Sequence, residues 1–514
     1  MTKKQNKFYL TTAISYPNGE PHIGHAYEAI ITDTVARFNR LIDKDVFFLT
    51  GTDEHGIKML QTAKKQNLEA RDLANKNAPL FVDMLSKINS THDDFIRTTE
   101  DRHRDACIEI WNRMYENGDI YKDKYAGWYS VRDEAYYEEK ELTKDDNEFL
   151  SPQGTPVTWV EEESYFFRLS NYQEKLLDHY KKNPDFILPA TRKNEVTKFV
   201  ESGLKDLSIS RTTFDWGIKV PNDESHVMYV WVDALTNYLT GTNFPHPDYT
   251  DKWPANFHII GKDILRFHAV YWPAFLMSAN IELPKIVFAH GFLFNKGIKM
   301  SKSLGNVVSP TELINKYGRD QIRYFFLREV SLGNDGSYDD DSITRRVNAD
   351  LANDLGNLIQ RSCSMVAKNC NNIIPTPSKN KTSDDILIDT EITNLSYKIL
   401  DYLEHIEINK ILNDIWEQIS ALNKYFSDQK PWELRKNNTE RMNTVLYTTI
   451  ENIRKIAIML QPVIPDSSEK ILNLLGVDLN KRKFNDINNK DSIIQNNTIG
   501  ILSPIFPKIE ISDE

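Results

Sequence analysis

Two continuous apolar runs with one amphipathic helix between them constrain this chain more than any other feature. Phe8-Tyr9-Leu10-Thr11-Thr12-Ala13-Ile14 and Val46-Phe47-Phe48-Leu49-Thr50 read as strands. A strand that is apolar on both faces belongs inside a parallel sheet covered by helices. Between them Ala26, Ala29, Ile30, Val35 and Phe38 recur near a helical period, which predicts a helix from His25 to Leu41. Strand, helix, strand, helix opens a doubly wound domain, whose ligands sit at the carboxyl ends of the strands.

The alternation stops between about Lys122 and Val220, where the chain turns aromatic and acidic, with turn clusters at Ser151-Pro152-Gln153-Gly154 and Asn183-Pro184. It resumes as expected strands at Met228-Tyr229-Val230-Trp231-Val232, Phe257-His258-Ile259-Ile260-Gly261 and Ile286-Val287-Phe288-Ala289-His290. One helix is expected from near Asp263, and another from the capping box Ser309-Pro310-Thr311-Glu312. Beyond Ser342 helical periods run through 342–370, 385–428 and 438–461. The fold class predicted is α/β, a doubly wound parallel, Rossmann-like sheet interrupted by an inserted α+β domain and followed by an all-α bundle. Expected boundaries are 1–121 and 221–325 for the sheet domain, 122–220 for the insert, 326–344 for a linker and 345–514 for the helical domain.

Bulk properties exclude several classes. A chain of 514 residues needs more than one core. No apolar signal core follows the basic N-terminal residues and no run is long enough to span a bilayer, so no membrane partner is expected. Cys107, Cys363 and Cys370 are scattered without a CxxC pair, which leaves no disulfide framework or thiolate-rich zinc knuckle and fits a reducing cytosol. The formal charge of -11 argues against DNA coating, so a nucleic-acid partner must be held by local basic patches.

Two motifs suit phosphate chemistry. Pro21-His22-Ile23-Gly24-His25 follows the first strand at a helix N-terminus, where backbone N–H groups and the helix dipole favour anions. Gly24 lacks a Cβ, and both histidines can donate to phosphate oxygens as their charge grows. Lys299-Met300-Ser301-Lys302-Ser303 lies on a loop flanked by Gly297 and Gly305, and its two lysines suit a departing pyrophosphate. Each motif alone could be an ordinary loop; their coincidence after two half-sheets is harder to explain as such.

Together they are the signature pair of class I aminoacyl-tRNA synthetases, and the rest of the chain resembles the methionyl-tRNA synthetase family. The stretches that carry this are Ala13-Ile14-Ser15-Tyr16-Pro17-Asn18-Gly19, Thr50-Gly51-Thr52-Asp53-Glu54-His55-Gly56, Tyr229 to Tyr238 and Gly261 to His268. The resemblance implies activation of methionine with ATP and Mg²⁺ to methionyl-adenylate, then transfer to the 3′ adenosine of initiator and elongator tRNA-Met. It assigns His22, His25, Lys299, Lys302 and Arg211 to catalysis, and Gly24, Asp263 and Lys302 to ATP. Asp53 would hold the α-ammonium, while Ile14, Tyr16, Trp231, Ala234, Tyr238, Ile264 and His268 would surround the thioether. The helical domain would bind the anticodon through Asn357, Arg361 and Trp432, with 326–344 touching the tRNA stem.

The insert departs from the family's zinc-bearing pattern. Gly127 to Glu134 resembles the knuckle region, yet no cysteine lies between 108 and 362, so no zinc or other resident metal is expected. From Arg132 to Glu163 there are 11 acidic and three basic residues, a solvated face by expectation. The helical domain leaves little chain for a dimerisation module, so a cytoplasmic monomer is expected. Two other readings remain: a small-molecule nucleotidylyltransferase, which leaves the helical domain unexplained, and a catalytically silent tRNA-binding paralogue.

Overall fold

The computed structural model describes residues 6–132, 135–145, 148–299, 308–490 and 494–510. The chain divides into two compact units. One holds the residues up to Pro21, Phe47–Ser86 and His92–His290; the other holds His22–Val46, Lys87–Thr91 and the chain from Gly291.

From the N-terminus the order is β1 (Lys7–Thr12), α1 (Ile23–Leu41), β2 (Asp45–Thr52), α2 (Ile57–Lys65), α3 (Ala70–Lys87), β3 (Asp94–Arg97) and α4 (Asp101–Glu116). There follow β4 (Ile120–Ser130), β5 (Thr158–Phe167), β6 (Ile187–Leu188), β7 (Asp223–Met228), α5 (Val230–Thr240), β8 (Phe257–Gly261), α6 (Trp272–Ser278) and β9 (Ile286–His290).

In the first unit six strands form one sheet in the order β3-β2-β1-β8-β9-β6. β2 with β3, β1 with β8, β8 with β9 and β9 with β6 all pair in parallel. Strand order runs outward in both directions from between β1 and β8, so the switch point of the sheet lies there. β4 and β5 pair antiparallel in a separate sheet.

The expected parallel strand over Met228–Val232 is wrong beyond its first residue, and that residue ends a strand of a separate antiparallel sheet. β7 ends at Met228 and α5 begins at Val230. Nearly every residue of α5 is buried, so the polar face whose periodicity would announce a helix is missing. The helix expected near Asp263 begins as a short 3₁₀ turn, Lys262–Ile264, capped by Gly261 rather than by Asp263.

The second unit is mostly helical, with a small three-stranded sheet over Leu293–Asn295, Ile298–Lys299 and Gly336–Tyr338: α1, then α7 (Pro310–Tyr317), α8 (Arg319–Glu329), α9 (Asn357–Asn369), α10 (Ser383–Leu403), α11 (Ile408–Gln429), α12 (Pro431–Asn437), α13 (Thr439–Leu460) and α14 (Pro465–Leu474). α1 starts at Ile23, two residues before the expected His25. Ser309 caps α7 and Pro310 is its first residue, but the Ser309 side chain makes no capping bond. The single helix expected over 385–428 is broken between α10 and α11, where Ile406 takes φ 58°. α13 is buried on all sides from Thr444 onward and forms the axis of the bundle.

Arg323 and Asp33 form a fully buried ion pair in this unit, N···O 2.7 Å. Arg323 also donates to the carbonyls of Ile88, Pro462 and Val463. Asp33 accepts from Thr91 N, Thr91 Oγ1 and Arg37 Nε, each at 2.7 Å. α1 is thus tied to α8, to segment 87–91 and to the turn before α14.

Gly51 on β2 is forced by packing. A Cβ there would lie 2.1 Å from the carbonyl oxygen of Ile96 on β3. Gly51→Ala must push two core strands apart, and we expect it to cost about 1–3 kcal/mol, the usual range for core overpacking. Urea unfolding at constant slope measures this; an unchanged midpoint would contradict the close approach.

Candidate active site

The first unit brings most of the expected methionine-binding residues to the carboxyl ends of β1, β2 and β8. After β1 the chain bridges to the end of β2: Ser15 N donates to Gly51 O (3.1 Å) and Asp53 N to Ser15 O (2.9 Å). Ile14 and Tyr16 are therefore held beside Asp53, which is 5% exposed. Lys58 Nζ lies 4.6 Å from the centre of the Tyr16 ring.

Trp231, Ala234 and Tyr238 follow one another along one face of α5, at the spacing of successive helical turns. The half-buried Trp231 ring stacks flat on Phe267, centroids 3.8 Å and planes 6° apart, and meets His268 edge-on at 6.1 Å. Ile264 and His268 come from the segment after β8, where a π-helical turn spans Phe267–Tyr271. Such turns recur at functional sites. His268 Nδ1 is 2.9 Å from Ile264 O, a carbonyl that only accepts, so Nδ1 carries the proton. Nε2 therefore accepts from the Tyr238 hydroxyl at 2.7 Å. Burial lowers the pKa of His268 to about 4, which keeps the ring neutral. Tyr238 and His268 thus satisfy each other's polar atoms and turn aromatic ring surface toward a thioether, while the buried Nε1 of Trp231 has no hydrogen-bond partner among the described residues.

Asp263 is exposed, and its carboxylate folds back over Gly261, where a Cβ would lie 2.7 Å from Oδ1. Arg211 is buried, donates to Ser208 Oγ (3.0 Å) and Ser210 O (2.6 Å), and lies over the Tyr229 ring at 4.5 Å.

The histidine motif belongs to the second unit, where it makes the N-terminus of α1. His22 is the N-cap; its Nδ1 accepts from Gly24 N, and His25 Nδ1 accepts from His22 N, both at 3.1 Å. Two imidazoles thus form a reciprocal capping box. Backbone N–H groups only donate, so both Nδ1 atoms are unprotonated and each neutral ring carries its proton on Nε2. The rings stack 3.8 Å apart. A Cβ on Gly24 would lie 2.9 Å from His22 Cε1, so glycine makes room for the His22 ring. Lys299 ends the short strand Ile298–Lys299. Met300, Ser301, Lys302 and Ser303 lie outside the described residues.

The same unit brings together two of the three expected anticodon residues. The Arg361 guanidinium lies over Phe426 at 5.2 Å and over Trp432 at 5.7 Å. Trp432 is 39% exposed at the start of α12, presented by Lys430 in the left-handed region and by Pro431 at the first helical position. Asn357 is exposed one turn before Arg361, at the first residue of α9.

Sequence reasoning missed a buried cluster behind the methionine-side residues. Asp233 Oδ2 is 2.7 Å from His55 Nδ1, and Asp233 Oδ1 is 2.7 Å from His103 Nε2. Cys107 Sγ lies 3.3 Å from the same His103 nitrogen. Burial, then the carboxylates of Asp233 and Asp53, push the Cys107 thiol up, against a lowering contact with Thr236. The three elements are far apart in sequence, so no spacing could have announced the cluster. His103, Cys107 and Asp233 are the one group of potential metal ligands among the described residues. Their 2.7 Å N···O separation is a hydrogen bond, shorter than the roughly 3.3 Å donor–donor edge of tetrahedral zinc.

His268 gives a pH prediction. An unfolded histidine protonates near 6.5, whereas this ring stays neutral down to about 4. Between those values the unfolded chain binds the extra proton, so stability rises with pH. This contribution is complete above about pH 6.5 and is lost as pH falls toward 4, on the order of 3 kcal/mol in all. Urea unfolding of wild type and His268→Gln at both ends of that window should show a smaller acid loss in the variant; equal losses would contradict the neutral buried ring.

Comparison with known proteins places the chain in a family. The family model described as "tRNA synthetases class I (M)" matches residues 8–145 and 146–363. The "Anticodon binding domain of methionyl tRNA ligase" matches residues 374–514. The methionine–tRNA ligase of Brucella suis biovar 1 is 57% identical over 515 residues, 99% of each chain. That of Mycobacterium tuberculosis H37Rv is 54% identical over 485 residues, 93% of each. A solved structure of Mycobacterium tuberculosis methionyl-tRNA synthetase, described as in complex with methionyl-adenylate, superposes with TM-score 0.95 at 52% identity, covering 97% of this chain and 99% of that one. The apo form of the same enzyme gives TM-score 0.88 at 49% identity over 98% of each. With both units matched end to end, the chain belongs to the methionyl-tRNA synthetase family of class I aminoacyl-tRNA synthetases.

Proposed function

We propose that this chain is a methionine–tRNA ligase, joining methionine to ATP as methionyl-adenylate and passing the methionyl group to the 3′ adenosine of tRNA-Met. The observation that carries the reading is the full-length match, at TM-score 0.95, to a structure described as bound to methionyl-adenylate. In the first step a carboxylate oxygen of methionine attacks the α-phosphorus of ATP, and pyrophosphate leaves. In the second a ribose hydroxyl of the terminal adenosine attacks the adenylate carbonyl, and AMP leaves. No side-chain nucleophile is needed, so catalysis rests on positioning and on stabilising phosphate charge.

Asp53 takes the α-ammonium as a buried, charge-assisted partner. Trp231, Ala234, Tyr238, Ile264 and His268, with Ile14 and Tyr16, take the side chain. Aromatic and apolar surface there favours a thioether, since sulfur packs well against aromatic rings. His22 and His25, with their protons on Nε2, serve as neutral donors to the phosphates. Gly24 and Asp263 serve the nucleotide, Arg211 the adenylate phosphate, and Lys299 and Lys302 the departing pyrophosphate. ATP enters as its Mg²⁺ complex, the ion offsetting charge on the phosphate oxygens.

The domain reading we propose gives 1–121 with 221–325 to catalysis, 122–220 to a connective insert, 326–344 to a linker to the tRNA stem and 345–514 to the anticodon; β6 of the insert nonetheless joins the edge of the six-stranded sheet, and α8 crosses the boundary at 325. Arg361 and Trp432 suit splayed bases, a cation edge beside an aromatic face, and Asn357 supplies a polar edge. The insert offers no thiolate for zinc. Buried Cys107 and Cys363 and half-buried Cys370 are unpaired, as in a reducing cytosol. No helix among the described residues is long and apolar enough to cross a membrane.

Two variants separate the steps. Lys302→Ala should cut methionine-dependent ATP–pyrophosphate exchange roughly a hundredfold, the size seen for loss of one transition-state donor. Methionine affinity should stay within about threefold. Exchange at the wild-type rate would overturn the lysine's role. Trp432→Ala should leave exchange intact and weaken aminoacylation of tRNA-Met roughly tenfold or more, as expected for one lost base stack. Loss of exchange together with charging would overturn the separation of the two sites.

A further inference from the structure

Asp233 is a buried charge that neither the adenylation nor the tRNA reading uses. It is 1% exposed on α5, two residues after Trp231 and one before Ala234. Each of its oxygens accepts from a different element: Oδ2 from His55 Nδ1 and Oδ1 from His103 Nε2, both at 2.7 Å. His55 stands two residues after Asp53, on the turn between β2 and α2; His103 stands on α4. The Nδ1 of the same His103 ring lies 2.9 Å from Thr240 Oγ1, two helical turns beyond Asp233 on α5.

The turn that carries His55 is held from its other side as well. Trp216 Nε1 donates to Glu54 O (2.7 Å), Gly56 N donates to Trp216 O (3.3 Å), and the Trp216 ring meets His55 edge-on at 5.3 Å. Burial raises the Asp233 pKa, yet the two imidazoles outweigh it and hold the carboxyl below the usual carboxylate range. An ionised carboxylate inside a core is costly, and an apolar side chain of similar size would often pack there at no loss. A carboxylate with both oxygens spoken for fixes the planes of two rings at once, which an apolar residue cannot do.

We propose that Asp233, with His55 and His103, is a positioning network that sets the distance between the ammonium-binding carboxylate of Asp53 and the side-chain wall of Trp231 and Ala234. It rests on the assignment of those three residues to methionine. The network ties the Asp53 turn to the Trp231 helix through one side chain, so it sets the length of amino acid that both subsites accept at once. Asp233 touches no substrate in this scheme; it acts through its neighbours.

The test uses full-length variants in ATP–pyrophosphate exchange, with KM measured separately for methionine and ATP. Ethionine, one methylene longer, is the competing substrate. Asp233→Asn keeps the shape but turns an N–H toward one imidazole. His55→Phe keeps the ring against Trp216 and loses the donor, whereas His55→Asn restores an N–H at the Nδ1 position. For Asp233→Asn and His55→Phe we expect methionine KM to rise roughly tenfold or more, with ATP KM within about twofold. Preference for methionine over ethionine should fall about fivefold or more, and His55→Asn should recover most of both losses. Should Asp233→Asn fail to fold, the two His55 variants carry the comparison. Methionine KM within about twofold in His55→Phe, or an equal rise for ATP and methionine, would overturn the proposal. Asp53→Ala, run alongside, separates the two ideas: if it leaves methionine KM unchanged, the pocket assignment has failed. If it raises KM while His55→Phe does not, the network alone has failed.

Discussion

A carboxylate that cannot reach water must be paired from every side, and each unit holds such a group beside an element that carries expected site residues. In the second unit it is Asp33, whose oxygens take Arg323, Arg37 and Thr91. That pairing fixes α1 along its length, and α1 carries the two-histidine cap at its N-terminus. In the first unit it is Asp233, which takes His55 and His103. Breaking either buried pair by removing one partner strands a charge, at a cost of several kcal/mol. The loops they hold can therefore be short and polar without becoming loose.

The two-histidine cap links structure to chemistry in a way its letters alone do not. Spending both Nδ1 atoms on backbone N–H groups determines the tautomer, because the remaining proton must sit on Nε2. A neutral Nε2–H donor suits a reaction in which negative charge grows on phosphate oxygens, since no proton has to be moved to make it ready. Gly24 then has a second reason to be glycine. Its missing Cβ leaves room for the His22 ring at 2.9 Å, so the turn and the tautomer depend on the same residue.

Much of the fold was legible because parallel strands buried on both faces leave an unbroken apolar run, as in Phe257–Gly261 and Ile286–His290. α5 was not, because a helix buried on all sides also reads as an unbroken apolar run, and Tyr229-Val230-Trp231-Val232 is β-branched and aromatic besides. The site divided in the same way. Asp53, Trp231 and His268 were assigned only through family resemblance carried by local motifs, and the structure shows what each of them packs against: Tyr238 on His268, Phe267 under Trp231, Ser15 beside Asp53. The Asp233 cluster was not reachable. Its partners lie 178 and 130 residues away, and each histidine taken singly is an ordinary core residue.

The central claim is that one pocket selects methionine for adenylation. ATP–pyrophosphate exchange by the purified chain, run with each of the twenty amino acids in turn, tests it most directly. Exchange is expected with methionine, and background rates with the other nineteen. Exchange that needs no amino acid, or that responds to a different one more strongly than to methionine, would contradict it.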